Sequence, residues 1–187
     1  MQQVNGNLIV MNPGDMIDDT YNDYLKIYLA GSLDFGPRMP WQQKFINGLS
    51  MLATPHPESP NIPDYSKYKF VVFNPLVPMN GGPDLNNPDF INKMQWENNM
   101  MQSSDAIFFN FLKKASNFNS TIFYYLFAQS GKMICRCPNE SIFFPYLKTI
   151  SNLYGIPFLG DTGSVITVMD TMFNYIPKFV ELSKYNL

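Results

Sequence analysis

The chain has 187 residues and a mass of 21.5 kDa, enough for one domain with a real core, and 45% of it is hydrophobic, which excludes a disordered tail. Charged residues make up only 15%, against roughly 25% in an ordinary soluble domain, so the 20 Asn and contacts with partner subunits are expected to cover much of the surface. A net charge of −2 with no basic run leaves out the electrostatic footprint of a direct nucleic-acid binder.

No basic stretch followed by an apolar one opens the sequence, so no signal peptide is expected, and the longest apolar runs are too short to span a bilayer. The expectation is a soluble protein without a membrane partner, in a cytoplasm, including that of a host cell, or in a virion. Cys135 and Cys137 are separated by one residue and His56 is the only histidine. That set suits neither a disulfide framework nor a zinc site, and buried structural thiols are the expected reading. No metal site and no cofactor is expected.

Residues 1–24 carry Asp15, Asp18, Asp19 and Asp23 without any Lys or Arg, and read as an acidic N-terminal arm facing solvent or a partner. They lack the Gly and terminal Glu of a calcium loop. From residue 25 to 187 the pattern is that of a single domain. Lys26–Ala30 is a buried strand closed by Gly31-Ser32, and Trp41–Leu52 has helical spacing through Phe45, Leu49 and Leu52. A proline-rich loop holds Pro55, Pro57, Pro60 and Pro63, and Lys69–Phe73 forms the second strand. After a loop over 78–88, Pro88 is placed to begin a helix running through Asp89–Met101. Ala106–Phe111 is the third strand, Ser120–Ser130 a helix stopped by Gly131, and Lys132–Cys137 the fourth strand. Phe143–Tyr154 is a helix ending at Gly155, and Ile156–Leu159 a short fifth strand. Ser164–Leu182 is the last helix, kinked at Pro177.

Strands alternating with helices predict an α/β fold: a five-stranded parallel sheet with helices on both faces, of the flavodoxin-like or Rossmann-like kind. Ligands of such sheets bind beyond the carboxyl ends of the strands, so the segments to inspect are 31–34, 74–79, 110–112 and 136–140. Gly31, Ser32, Asn74 and Asn110 are the ligand-binding candidates there. The tight turn at Gly31 needs a glycine for steric reasons in any case.

At these strand ends the sequence resembles the nucleoside 2-deoxyribosyltransferase-like family, in its bacterial and phage branch. The matching pieces are IYLAGS at Ile27–Ser32, VFNP at Val72–Pro75, QWE at Gln95–Glu97 and SSDAIFF at Ser103–Phe109. They continue with SGKMI and CP within Ser130–Pro138 and YGIP at Tyr154–Pro157. The resemblance covers residues 26–160 and leaves the N-terminal arm and the last helix outside it.

The resemblance implies cleavage of the N-glycosidic bond of a 2′-deoxynucleoside. A glutamate attacks the anomeric carbon and holds the sugar as an ester until another base or water takes it, because an anionic oxygen both stabilises and traps the oxocarbenium-like carbon. The family's glutamate lies nine residues before the lysine of SGK; here that position is Phe123, and the Gly of the same motif falls on Tyr125. No acidic residue stands between Asp105 and Glu140, so a small shift of register restores nothing. The stretch after VFNP, Leu76 to Asn80, also lacks the charges the branch carries there.

Three carboxylates compete for a displaced catalytic role: Glu97 after Gln95-Trp96, Asp34 after the first strand, and Glu140 after the fourth. Each has an ordinary alternative, as a helix-surface or turn residue. The favoured reading is a catalytically degenerate member, not an enzyme, working as a structural or assembly subunit, in one form of a phage particle. The Asn-rich, Met-rich composition with Lys over Arg suits that source. Two alternatives stay open: an active transferase or N-glycosidase, and a module that binds a nucleoside or nucleotide without cleaving it. Family members are generally oligomers, so a homo-oligomer or other protein subunits are the expected partners.

Overall fold

A computed structural model describes residues 1–32, 39–55, 63–76, 84–113 and 118–185. Six strands form one mostly parallel sheet, in the spatial order Gln2–Asn5 (β1), Leu8–Met11 (β2), Phe70–Phe73 (β4), Leu25–Gly31 (β3), Ala106–Asn110 (β5) and Met133–Arg136 (β6). The chain divides into two compact units, Met1–Tyr28 with Phe35–Ser104, and Leu29–Asp34 with Asp105–Leu187.

The first unit begins with a hairpin, β1 (Gln2–Asn5) antiparallel to β2 (Leu8–Met11). Residues 1–24, read above as an arm, therefore supply two strands. Leu8-Ile9-Val10-Met11 is a continuous apolar run, buried along its length and paired parallel to β4 (Phe70–Phe73) from Leu8↔Phe70 to Met11↔Phe73. Such a run is what a strand covered on both faces requires, and the neighbouring aspartates mask it in a composition-led reading. Two asparagines pin the hairpin down: Asn5 Nδ2 donates to Ser50 O at 3.1 Å and Asn7 Nδ2 to Ser66 O at 2.6 Å. On the other side of β4, β3 (Leu25–Gly31) pairs in parallel through Leu25↔Phe70 to Tyr28↔Phe73.

The helices of this unit follow their sequence signals. α1 (Trp41–Leu52) buries Phe45, Ile46, Leu49 and Leu52, a 3.6-residue stripe. α2 (Pro88–Ser103) starts with Pro88 in its first turn, where the missing N–H costs nothing, and Asn87 caps it by accepting from Asp89 N at 3.1 Å.

In the second unit β5 (Ala106–Asn110) and β6 (Met133–Arg136) run parallel, from Ile107↔Met133 to Asn110↔Arg136. α3 (Phe118–Phe127) sends Tyr124 into a cluster with Phe109 and Phe111, edge-on to both at 5.1 and 5.8 Å. All three rings are fully buried, and burial of one such ring is worth about 1.5–3 kcal/mol. α4 (Phe144–Tyr154) ends at Gly155, which takes the left-handed φ of 66° and returns its N–H to Ser151 O.

Two details of the second unit differ from the sequence expectation. Ile156–Leu159 does not become a fifth parallel strand; only a bridge between Cys135 and Phe158 forms there, with Cys135 N donating to Pro157 O at 2.9 Å. Pro157 has no N–H to extend a ladder. The last helix is two: α5 (Val165–Tyr175) and α6 (Pro177–Tyr185), broken where Ile176 turns extended ahead of Pro177. Lys178 ties α6 back to the start of β5 through Asp105, 3.0 Å away. Both cysteines are buried and free, as their spacing suggests.

Candidate functional site

In the first unit the candidate carboxylate is Glu97, on the face of α2 next to Trp96. Trp96 is anchored by donating its indole N–H to Asp15 O at 2.8 Å, and it packs on Tyr28 and Phe73 with ring centroids 6.3 Å away in each case. Glu97 itself is largely withdrawn from water: its side chain keeps 13% of its surface, and burial raises its carboxyl to about pH 7 even though Lys93 Nζ, 3.8 Å away, pulls it down. Tyr28 is buried as well, and its hydroxyl is pushed well above its ordinary value by burial first and by the Glu97 charge second. A half-protonated carboxyl near neutrality is suited to general acid–base work.

Asn74, in the same unit, is hydrogen-bonded through both its side chain and its backbone. Its side chain donates to Asn12 Oδ1 at 3.2 Å and accepts from Leu76 N at 3.2 Å, while its backbone N–H goes to Met11 O. This ties the carboxyl end of β4 to the loop after β2.

In the second unit the carboxyl ends of β5 and β6 and the end of β3 gather Gly31, Ser32, Asn110 and Arg136. Gly31 has φ of 117°, and a Cβ there would lie 2.2 Å from Asn110 O, so only glycine fits. The Gly31 carbonyl accepts from Ser120 Oγ at 2.6 Å. Ser32 uses its N–H on Asn110 O at 2.9 Å and its Oγ to accept from Leu112 N at 2.8 Å. The Gly31-Ser32 turn thus spends its amide and hydroxyl in stitching the strand ends together. Asn110, 6% exposed, accepts at Oδ1 from Arg136 Nη1 at 2.9 Å.

Arg136 is the residue that sequence reasoning passed over. It closes β6 at the edge where α/β sheets take their ligands, and only that position within the segment 136–140 marks it in the sequence. Glu140 is exposed and paired with Lys113 at 3.1 Å, which holds its carboxyl below the ordinary value. Asp34 lies outside the described residues. Phe123 is half-buried on α3 and Tyr125 is 46% exposed; the fully buried ring of that turn belongs to Tyr124. An open hollow of about 520 Å³, with Ser151, Phe158, Thr171 and Tyr175 in its wall, contains none of the candidate residues. Among the described residues no group of three or more His, Cys, Asp or Glu side chains gathers as a metal site, and no helix is long and apolar enough to cross a membrane.

These features define an α/β protein with a mostly parallel sheet and polar residues at the carboxyl ends of its strands. The family model described as nucleoside 2-deoxyribosyltransferase like matches residues 24–141, more than half of the 187, and the chain belongs to that family. Among curated proteins none gives a significant match. The matched span includes Glu97, Asn110, Phe123, Arg136 and Glu140.

Proposed function

We propose that this chain is a catalytically degenerate nucleoside 2-deoxyribosyltransferase-like protein that works as a structural or assembly subunit, in its most specific form one of a phage particle. The carrying observation is Phe123: at the position expected for the nucleophile there is a hydrocarbon ring, and no carboxylate stands between Asp105 and Glu140 to replace it. A phenyl ring can neither attack the anomeric carbon nor hold a sugar ester. Support for assembly comes from large apolar side chains left in water. On α3, Ile122, Tyr125 and Leu126 share one face at helical spacing and are 45%, 46% and 68% exposed, in a helix with no charged residue.

One observation favours a second reading, an active transferase or N-glycosidase: Glu97 is a buried carboxyl poised near neutrality. Incubation of the purified chain with 2′-deoxynucleosides and free bases, with mass spectrometry of released or exchanged base, separates the two. Sedimentation velocity adds the oligomeric state. The degenerate reading expects no turnover and self-association. Turnover abolished by Glu97→Gln, or a stable monomer, would overturn it.

A further inference from the structure

We propose that Arg136 and Asn110 form an anion site that takes a phosphate monoester at the carboxyl edge of β5 and β6. The first observation is charge. Two other cations of this unit are paired with carboxylates, Lys113 with Glu140 and Lys178 with Asp105. Arg136, half-buried, has no carboxylate within 4.0 Å among the described residues; its partners there are neutral oxygens, Asn110 Oδ1 at 2.9 Å and the backbone carbonyl of Asp161 at 3.4 Å. A guanidinium carries five N–H donors in a planar fork, and among the described residues only two of this one's find an acceptor.

The second observation is Asn110. Its carbonyl oxygen is taken by Arg136, which leaves the amide Nδ2 as its outward group. That nitrogen makes no hydrogen bond among the described residues, although the residue is 6% exposed, and it is not sealed from solvent. A nearly buried amide donor beside a guanidinium with no carboxylate partner among the described residues suits an acceptor that is anionic and has several oxygens.

The third observation is how the arginine is held. A Cβ on Gly163 would lie 2.1 Å from Arg136 Cδ and 2.5 Å from Nε, so the side chain runs across a gap that only glycine leaves. Gly163 directly precedes Ser164, the N-cap of α5, a helix with no acidic residue in its first turn. The guanidinium stem therefore lies against the positive end of a helix, which adds to the field an anion meets. A phosphate monoester, as free phosphate or as the 5′ group of a nucleotide, matches the fork with two oxygens and leaves a third for Asn110 Nδ2.

The site does not depend on whether the chain turns over a substrate, so binding is its readout. Calorimetric titration of the full-length protein at low salt would compare inorganic phosphate, 2′-deoxynucleoside 5′-monophosphates and the matching nucleosides. Monophosphates are expected to bind at least tenfold more tightly than nucleosides. Comparable binding of inorganic phosphate would mean that the phosphoryl group alone is recognised, and weaker binding that the nucleoside adds contacts. Arg136→Gln should erase the tenfold preference. Gly163→Ala should erase most of it too while leaving the charge in place, since the clash falls on a side chain that can swing away. A third readout needs no variant: only Arg38 and Arg136 are arginines, and phosphate should protect Arg136 from a dicarbonyl reagent. Equal binding of nucleosides and monophosphates, no binding of either, or Arg136 modified equally fast with and without phosphate would each overturn the proposal.

Discussion

Lys93 and Glu97 stand one turn apart on α2, with Nζ 3.8 Å from a carboxylate oxygen and only 13% of either side chain exposed. At that separation the attraction of Lys93 does not repay the desolvation of the carboxylate. Burial therefore wins, and the Glu97 carboxyl titrates near pH 7.

A stability profile follows from that value. The folded chain holds the Glu97 proton up to about pH 7 while the unfolded chain releases it near 4.5. The group's contribution is fully present below pH 4.5 and is lost as pH rises through 7, opposite to the usual carboxylate. Glu97→Gln keeps the shape and removes the ionisation, so it should stabilise the protein by about 1–3 kcal/mol at pH 8 and by almost nothing at pH 4.5. Urea unfolding at both pH values measures the difference. A gain independent of pH would mean that Lys93 keeps Glu97 ionised throughout.

Gly31→Ala should be among the most damaging single changes in the second unit. The new methyl would meet backbone, Asn110 O at 2.2 Å and Asn110 C and N at 2.7 Å, and the φ of 117° is one that alanine avoids. A backbone obstacle cannot rotate away as a side chain can. The expected loss is about 3 kcal/mol or more, read as a drop in the urea midpoint. Gly163→Ala is the contrast, because its obstacle is the Arg136 side chain, and stability there should change by less than about 1 kcal/mol.

Local signals carried most of the elements. α1 has the same bounds, Trp41 to Leu52, in sequence and structure, Pro88 opens α2, and Gly155 ends α4, because apolar periodicity, a missing N–H and a left-handed φ are all properties of nearby residues. β2 shows where composition misleads: four apolar residues outweigh the aspartates that follow them once β4 is there to pair with. The site was legible only in part. The spacing of Lys93 and Glu97 is visible in sequence, but the burial that makes Glu97 unusual is a property of the folded chain. Arg136 reads as one more strand-end cation until its neighbours are known, since lacking a carboxylate partner among the described residues is a property of three-dimensional surroundings.

The Tyr124–Ser151 contact allows an asymmetric test. Ser151 Oγ donates to Leu147 O at 2.7 Å, so the 2.6 Å bond to Tyr124 has the phenol as donor. Tyr124→Phe removes a donor and leaves Ser151 bonded, at a cost of about 1 kcal/mol. Ser151→Ala strands the buried hydroxyl, for which a neighbouring sulfur is only a weak acceptor, and should cost about 1–3 kcal/mol. A loss for Tyr124→Phe as large as that for Ser151→Ala, measured by thermal unfolding, would contradict the donor assignment.

The same cluster governs the cysteines. Cys135 is fully buried on β6, and burial pushes its thiol up despite the Tyr124 hydroxyl beside it; Cys137 is raised for the same first reason. The thiolate is the reactive form, so a protein at pH 8 should react with a thiol reagent orders of magnitude more slowly than a free cysteine, whose ordinary value is about 8.5. Denaturation should restore both thiols to full reactivity. Labelling of the native protein would then proceed only through opening of the second unit, and its rate should rise with urea in step with unfolding. Tyr124→Phe should accelerate it by the factor its stability loss implies, about fivefold for 1 kcal/mol. Rapid native labelling of Cys135 that ignores urea would place the thiol at the surface and contradict its full burial beside Tyr124.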